Sequence, residues 1–166
     1  MLVALRAPFR FPVPVSPKGD LSFLEKRFTP RTVYMEVGVA DCAFALRAAS
    51  NVERVYSVDL SGRFLQSVAA PLNLRFVLCD GLRIPLPEGT VDLAWSGGFM
   101  DHLDTQGTAE HLQSVRRSLV DGGEYFFTTG QPPAIVRRRL LSAGFAAVRI
   151  PLLSRFLRPA RISAIK

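Results

Sequence analysis

Residues 33–42 read Val33-Tyr-Met-Glu-Val37-Gly38-Val-Ala40-Asp-Cys42: five mostly apolar residues that run into a glycine, then a turn. Residues 41–49 follow as a helix candidate that is apolar nearly all round, as a helix is when it packs between a sheet and its neighbours. The same unit recurs along the chain. Arg54-Val-Tyr-Ser-Val-Asp59 reads as a second strand, residues 62–70 as a helix and Leu74-Arg-Phe-Val-Leu78 as a third strand. Val91-Asp-Leu-Ala-Trp-Ser96 is a fourth strand, residues 108–119 a helix closed by Asp121-Gly122-Gly123, and Glu124-Tyr-Phe-Phe-Thr128 a fifth strand. Residues 133–143 make a last helix, with Gly144 in the C-terminal role glycine favours. Residues 146–152 and 161–166 complete the set as two more strands. Alternating strand and helix predicts a mostly parallel sheet covered on both faces. Only residues 80–90, with Pro85 and Pro87 among them, separate the third and fourth strands, too few for a crossover helix.

An open sheet of this kind binds ligands beyond the carboxyl ends of its strands, near the switch in strand order. The first strand delivers Glu36-Val-Gly38-Val-Ala40 there. A glycine permits the tight turn, and small residues let a ligand approach the backbone. The second strand ends in Asp59-Leu60, 21 residues after Gly38, the distance at which an acid accepts hydrogen bonds from ribose hydroxyls. The third ends in Asp80-Gly81 and the fourth in Ser96-Gly97-Gly98. The competing readings are structural: a glycine turn that serves packing, helix caps at Glu36 and Asp59, and a strand end at Ser96. Asp41 reads as a cap for the helix after it.

Together these strand ends resemble a class I S-adenosylmethionine-dependent methyltransferase, from about Phe28 to the C-terminus. Met35-Glu-Val-Gly-Val-Ala-Asp-Cys42 resembles the family's E/D-x-G-x-G-x-G motif, with Ala40 and Cys42 in place of its second and third glycines. Tyr56-Ser-Val-Asp59 resembles the acid-ended second strand, and Cys79-Asp80-Gly81 the acidic position beside the adenine. The Pro-bearing run from Ile84 to Leu93 resembles the loop with which compact methyltransferases replace a third crossover helix. Ser96 to Leu103 and Val115 to Gly123 resemble the segments after the fourth strand and before the fifth.

The resemblance implies a Rossmann-like three-layer sandwich whose mostly parallel seven-stranded sheet has its last strand antiparallel. It also implies S-adenosylmethionine as cofactor. Glu36 would face its amino group, and Gly38 and Ala40 would admit its carboxylate. Asp59 would take the ribose hydroxyls, Leu60 beside it would be cofactor-binding, Asp80 with Gly81 and Leu82 would border the adenine, and Ser96 would lie along the methionine portion. Methyl transfer needs a base only where the acceptor must lose a proton, and His102 is the candidate, because an unperturbed imidazole titrates near neutrality. Two rival readings are a nucleotide-cofactor oxidoreductase, though no tyrosine is followed four residues on by lysine, and a degenerate cofactor-binding scaffold.

At 166 residues the chain is long enough for one domain with its own core, here a domain over 20–166 behind a Pro-rich arm over 1–19, with residues 1–28 expected to fold over the acceptor site. Ser22-Phe-Leu-Glu25 matches a capping box and predicts a short helix. Two cysteines and two histidines in no ligand-type spacing exclude a disulfide scaffold and the common metal motifs. With no signal-peptide pattern and no apolar run of membrane-spanning length, a cytoplasmic chain is expected. The net charge of +7 is localised: residues 1–130 carry 13 Lys and Arg against 14 acids, and residues 131–166 carry eight cations and no acid. Nucleic acid is therefore one candidate acceptor, through Arg137, Arg138, Arg139 and Arg149, beside the favoured small molecule. The competing reading makes these arginines separate solvated charges, because three consecutive helical residues point in different directions.

Overall fold

The computed structural model describes residues 22–38, 42–60, 70–151 and 160–166. The arm over 1–19, Ala40, Asp41 and most of the expected helix over 62–70 lie outside the described residues. Seven strands form one sheet in the order β3-β2-β1-β4-β5-β7-β6. They are β1 (Val33–Val37), β2 (Arg54–Asp59), β3 (Leu74–Leu78), β4 (Val91–Gly97), β5 (Leu119–Thr129), β6 (Ala147–Arg149) and β7 (Ala160–Ile165). β1 pairs in parallel with β2 and β4, β2 with β3, and β4 with β5. The last strand, β7, runs antiparallel to both β5 and β6.

The pleat sends alternate side chains into two cores. On one face Tyr34, Val55, Leu93, Trp95 and Phe126 meet Ala45 and Ala48 of α1 (Ala43–Ala49) and Leu24 of a helical turn over 22–25. On the other, Met35, Val37, Val58, Tyr125 and Phe127 meet Leu112 and Val115 of α2 (Thr105–Ser118) and Val136 and Leu140 of α3 (Pro133–Ser142). Helices therefore cover both faces, giving three layers.

Several boundaries differ from the sequence reading: β6, for one, spans Ala147–Arg149 rather than residues 146–152. α2 starts at Thr105 rather than at residue 108, because the Asp104 carboxylate accepts the Gly107 amide at 2.6 Å and caps the helix a turn earlier. Asp104→Ala is expected to lower stability by about 1 kcal/mol in chemical denaturation, and an unchanged midpoint would deny it the capping role. The same helix ends at Ser118, and Asp121-Gly122-Gly123 belongs to β5 rather than to a helix stop. There the backbone of Lys166 bonds to Gly122 and Gly123 and the β4–β5 register shifts between Val91 and Leu93, so the strand continues through the glycine pair.

Candidate functional site at the carboxyl edge of the sheet

Strand order reverses between β1 and β4, and their paired ends bring Val37 beside Ser96. The Gly38 amide bonds to the Val58 carbonyl at 3.0 Å and the Cys79 amide to the Asp59 carbonyl at 3.1 Å, so Gly38, Asp59 and Asp80 stand side by side at one edge. Asp59 is half-buried, whereas Leu60 after it is 73% exposed and offers an apolar side chain to solvent. One oxygen of exposed Asp80 accepts the Leu82 amide at 2.9 Å and so orders the turn that carries Gly81. Burial raises the Cys79 thiol above its ordinary value, against an opposing hydrogen bond from the Gly81 amide, so this sulfur is held protonated rather than as a nucleophile.

Gly38 and Gly81 need to be glycine for a reason that spacing does not reveal. A short 3₁₀ helix over Phe99–His102 follows β4 and turns the Phe99 ring against both. A Cβ on Gly38 would meet Phe99 at 2.9 Å, and one on Gly81 would meet it at 2.6 Å, while both residues adopt positive φ, +78° and +73°. Beside Gly98, by contrast, the space is open. Cys42, which stands where the resembled motif has its third glycine, keeps the left-handed backbone at φ 58° while its side chain is buried. The left-handed backbone is thus present at position 42 without a glycine there.

Glu36 and Ser96 belong to opposite faces. Glu36 lies opposite Ser57 and Trp95 on the α1 side, 6% exposed. Burial, together with the Glu36 charge, keeps the Tyr34 phenol protonated, and the buried Ser57 hydroxyl has no hydrogen-bond partner among the described residues. The Ser96 hydroxyl is fully buried on the α2 side and lies 2.5 Å from that of Tyr125. What Ser96 can offer the cleft is therefore its backbone. His102 is exposed at the end of the 3₁₀ helix. Neighbouring Asp101 accepts hydrogen bonds from the Thr129 hydroxyl and the Gly130 amide, a clamp that fixes this helix to the end of β5.

The histidine that composition did not single out is His111. It is fully buried on α2, with Nδ1 2.7 Å from the Gly81 carbonyl and Nε2 2.8 Å from the Tyr125 hydroxyl, and its ring lies 4.8 Å from that of Phe99. Burial holds its imidazole down at about 4, against a weaker pull from the hydrogen bond to Gly81. Because the unfolded chain takes up a proton that the fold refuses, the stability tied to neutral His111 is complete above pH 6.5 and is lost as pH falls towards 4. The expected loss is roughly 3 kcal/mol, and denaturation midpoints at pH 7 and 4.5 should fall less steeply with acid in His111→Asn. Equal slopes would contradict this account. Only a helical period that turned residue 111 towards Tyr125 could have signalled this side chain in the sequence.

Among the described residues of the acid-free region, Arg137, Arg139 and Arg149 make polar contacts within the fold. Arg137 donates to the Val148 carbonyl, Arg139 to Gln131 at 2.7 Å, and Arg149 pairs with Glu124 at 3.7 Å. Arg138 lines a cleft between α2 and α3 with Thr105 and Gln113. Among the described residues no helix is long and apolar enough to cross a membrane.

A family profile described as a methyltransferase domain matches residues 35–127, more than half of the chain. No curated protein matches the sequence. Among solved structures, an S-adenosylmethionine-dependent methyltransferase from Mesorhizobium loti superposes with a TM-score of 0.75 at 16% identity, covering 90% of this chain and 97% of its own. A SAM-dependent methyltransferase from Aquifex aeolicus gives 0.66 at 17%, covering 88% of each chain. Phosphoethanolamine N-methyltransferase 2 of Haemonchus contortus, in complex with phosphomonomethylethanolamine and S-adenosylhomocysteine, gives 0.74 at 16%, covering 92% of this chain and 53% of its own. Likeness at these identities speaks for the fold.

Proposed function

The chain belongs to the methyltransferase-domain family, and from that membership we propose that it transfers the methyl group of S-adenosylmethionine to a small-molecule acceptor. The observation that carries the reading is the alignment of Gly38, Asp59 and Asp80 at the switch-point edge, with exposed Leu60 among them. The chemistry of this donor set fits the cofactor. A ribose diol calls for a carboxylate acceptor, which Asp59 supplies, and a purine calls for an apolar face and an acceptor for its amine, which Leu60 and Asp80 supply. Glu36 has the charge to receive the cofactor's ammonium group from the α1 side, where the unpartnered Ser57 hydroxyl adds a polar neighbour. Gly38, which carries no side chain, would leave room for the carboxylate.

When bound, S-adenosylmethionine supplies an electrophilic methyl group with its leaving group already in place. The protein then mainly has to hold the reacting centres in line. Asp59 and Asp80 orient, Leu60 and Phe99 keep water from one flank, and His102 takes a proton from acceptors that must lose one. His102→Ala is expected to lower kcat about 100-fold for a hydroxyl or ammonium acceptor while S-adenosylhomocysteine affinity stays unchanged; unchanged turnover would remove it from the reaction.

A small-molecule acceptor is favoured because Arg137, Arg139 and Arg149, though Arg137 and Arg149 are exposed, each bond to a partner within the fold. Incubation with methyl-labelled cofactor and a cell extract tests this directly. Label is expected in the low-molecular-weight fraction, and label in RNA would overturn the acceptor class. A compartment in which both cofactor and small metabolites are present, such as the cytoplasm, suits the reading.

A further inference from the structure

A buried chain of hydrogen bonds joins the two borders of the proposed cleft. Ser96 Oγ lies 2.5 Å from the Tyr125 hydroxyl, which lies 2.8 Å from His111 Nε2, and His111 Nδ1 lies 2.7 Å from the Gly81 carbonyl. All three side chains are fully buried. The chain has one consistent proton order. A carbonyl only accepts, so Nδ1 carries the hydrogen, and in a neutral imidazole Nε2 then accepts. Tyr125 therefore donates to Nε2, and Ser96 donates to the Tyr125 oxygen. Burial favours the neutral imidazole on which this order depends. Phe99 packs on the flank of the His111 ring and reaches from there to Gly38 and Gly81.

We propose that His111 and Tyr125 are positioning residues of the methyl-transfer site, fixing the Gly81 loop, which borders the adenine, against the end of β4, which borders the reacting portion. They touch neither cofactor nor acceptor. They act by holding the Gly81 loop in place relative to Ser96, the His111–Gly81 bond carrying more of the constraint than the His111–Tyr125 bond, with the Phe99 ring as the spacer between the borders. The proposal rests on the cofactor reading above, and it extends that reading to two side chains from α2 and β5 that lie behind the cleft.

Two substitutions at one position separate this role from a merely structural one. Both replace the buried ring by an amide, Gln being one methylene longer than Asn, and they keep different links. His111→Asn retains a donor near Nδ1 for the Gly81 carbonyl, and His111→Gln retains an acceptor near Nε2 for Tyr125. Calorimetric titration with S-adenosylhomocysteine, well below the unfolding midpoints, should give His111→Asn an affinity within about threefold of wild type. His111→Gln should bind roughly tenfold more weakly. Equal affinities for the two variants would overturn the proposal. If either fails to fold, Tyr125→Phe decides: it keeps the ring against Phe127 and Phe145 and removes only the hydroxyl. It should weaken binding roughly fivefold, and wild-type affinity would overturn the proposal.

The protein has only two histidines, so nitrogen-15 spectra resolve the tautomer without a ligand. One ring should hold its proton on Nδ1 and stay neutral from pH 5 to 8, whereas two rings titrating in that range would overturn the proton order. Wild-type protein that binds no S-adenosylhomocysteine would refute the cofactor reading. Binding that is indifferent to the choice of Asn or Gln would refute only the positioning role.

Discussion

Gly81→Ala is expected to lower stability by roughly 2–4 kcal/mol, a large share of the 5–15 kcal/mol that holds a typical domain together. Two independent causes contribute. The residue sits at φ +73°, where an alanine costs about 1–2 kcal/mol in the left-handed region. Its new methyl group would also lie 2.6 Å from Phe99 Cζ and 3.0 Å from Val37 Cγ1, so these side chains must shift to admit it. Chemical denaturation measures the sum, and a double variant with Phe99→Leu measures the parts. If the ring is the obstacle, the second change should recover the overpacking share and leave the backbone share, so that the two effects fail to add. A single variant as stable as wild type would mean that the Phe99 contact is not as the structure has it. The His111 bond to the Gly81 carbonyl should suffer with the clash, and S-adenosylhomocysteine affinity should fall with stability.

Asp59→Ala is expected to weaken S-adenosylhomocysteine binding by about 30- to 100-fold, since hydrogen bonds to a charged group contribute roughly 1.5–3 kcal/mol. Asp59→Asn, which keeps one acceptor oxygen but no charge, should fall between the variant and wild type. The half-buried side chain stands at the end of β2 rather than in either core, so the denaturation midpoint should move little. Affinity lost without stability lost is the signature of a ligand-facing acid. A variant that loses stability and keeps affinity would return Asp59 to a capping or packing role.

How far the sequence could be read depended on the range of the forces involved. β1, β2, β3 and the core of β4 follow from short apolar runs bounded by glycine, proline or acid, all local signals, and they stand where those runs placed them. The edge that gathers Glu36, Gly38, Asp59, Asp80 and Gly81 follows from the same pattern, because parallel strands must end together at a switch point. The start of α2 was obscured by Gly107 in its first turn, which hid the cap at Asp104. The continuation of β5 through Gly122 and Gly123 depends on Lys166, more than 40 residues on, and no local rule contains it.

Side-chain direction was the least legible feature. Ser96 looked like a cleft residue from its place at a strand end, yet one residue of pleat turns it towards Tyr125. Phe99 and His111 lie 12 residues apart, and only the closed fold brings their rings together. For the basic stretch, sequence reveals charge but not engagement: a β6 carbonyl, the Gln131 side chain and Glu124 of β5 bond to Arg137, Arg139 and Arg149 respectively.

The central claim is that the edge formed by β1, β2, β3 and β4 binds S-adenosylmethionine. Isothermal titration of the full chain with S-adenosylhomocysteine tests it with least interference from the unidentified acceptor. The prediction is saturable binding at one site per chain, with a Kd well below about 1 mM that Asp59→Ala raises strongly. No heat of binding up to roughly 1 mM ligand, confirmed by an unshifted unfolding midpoint, would contradict it.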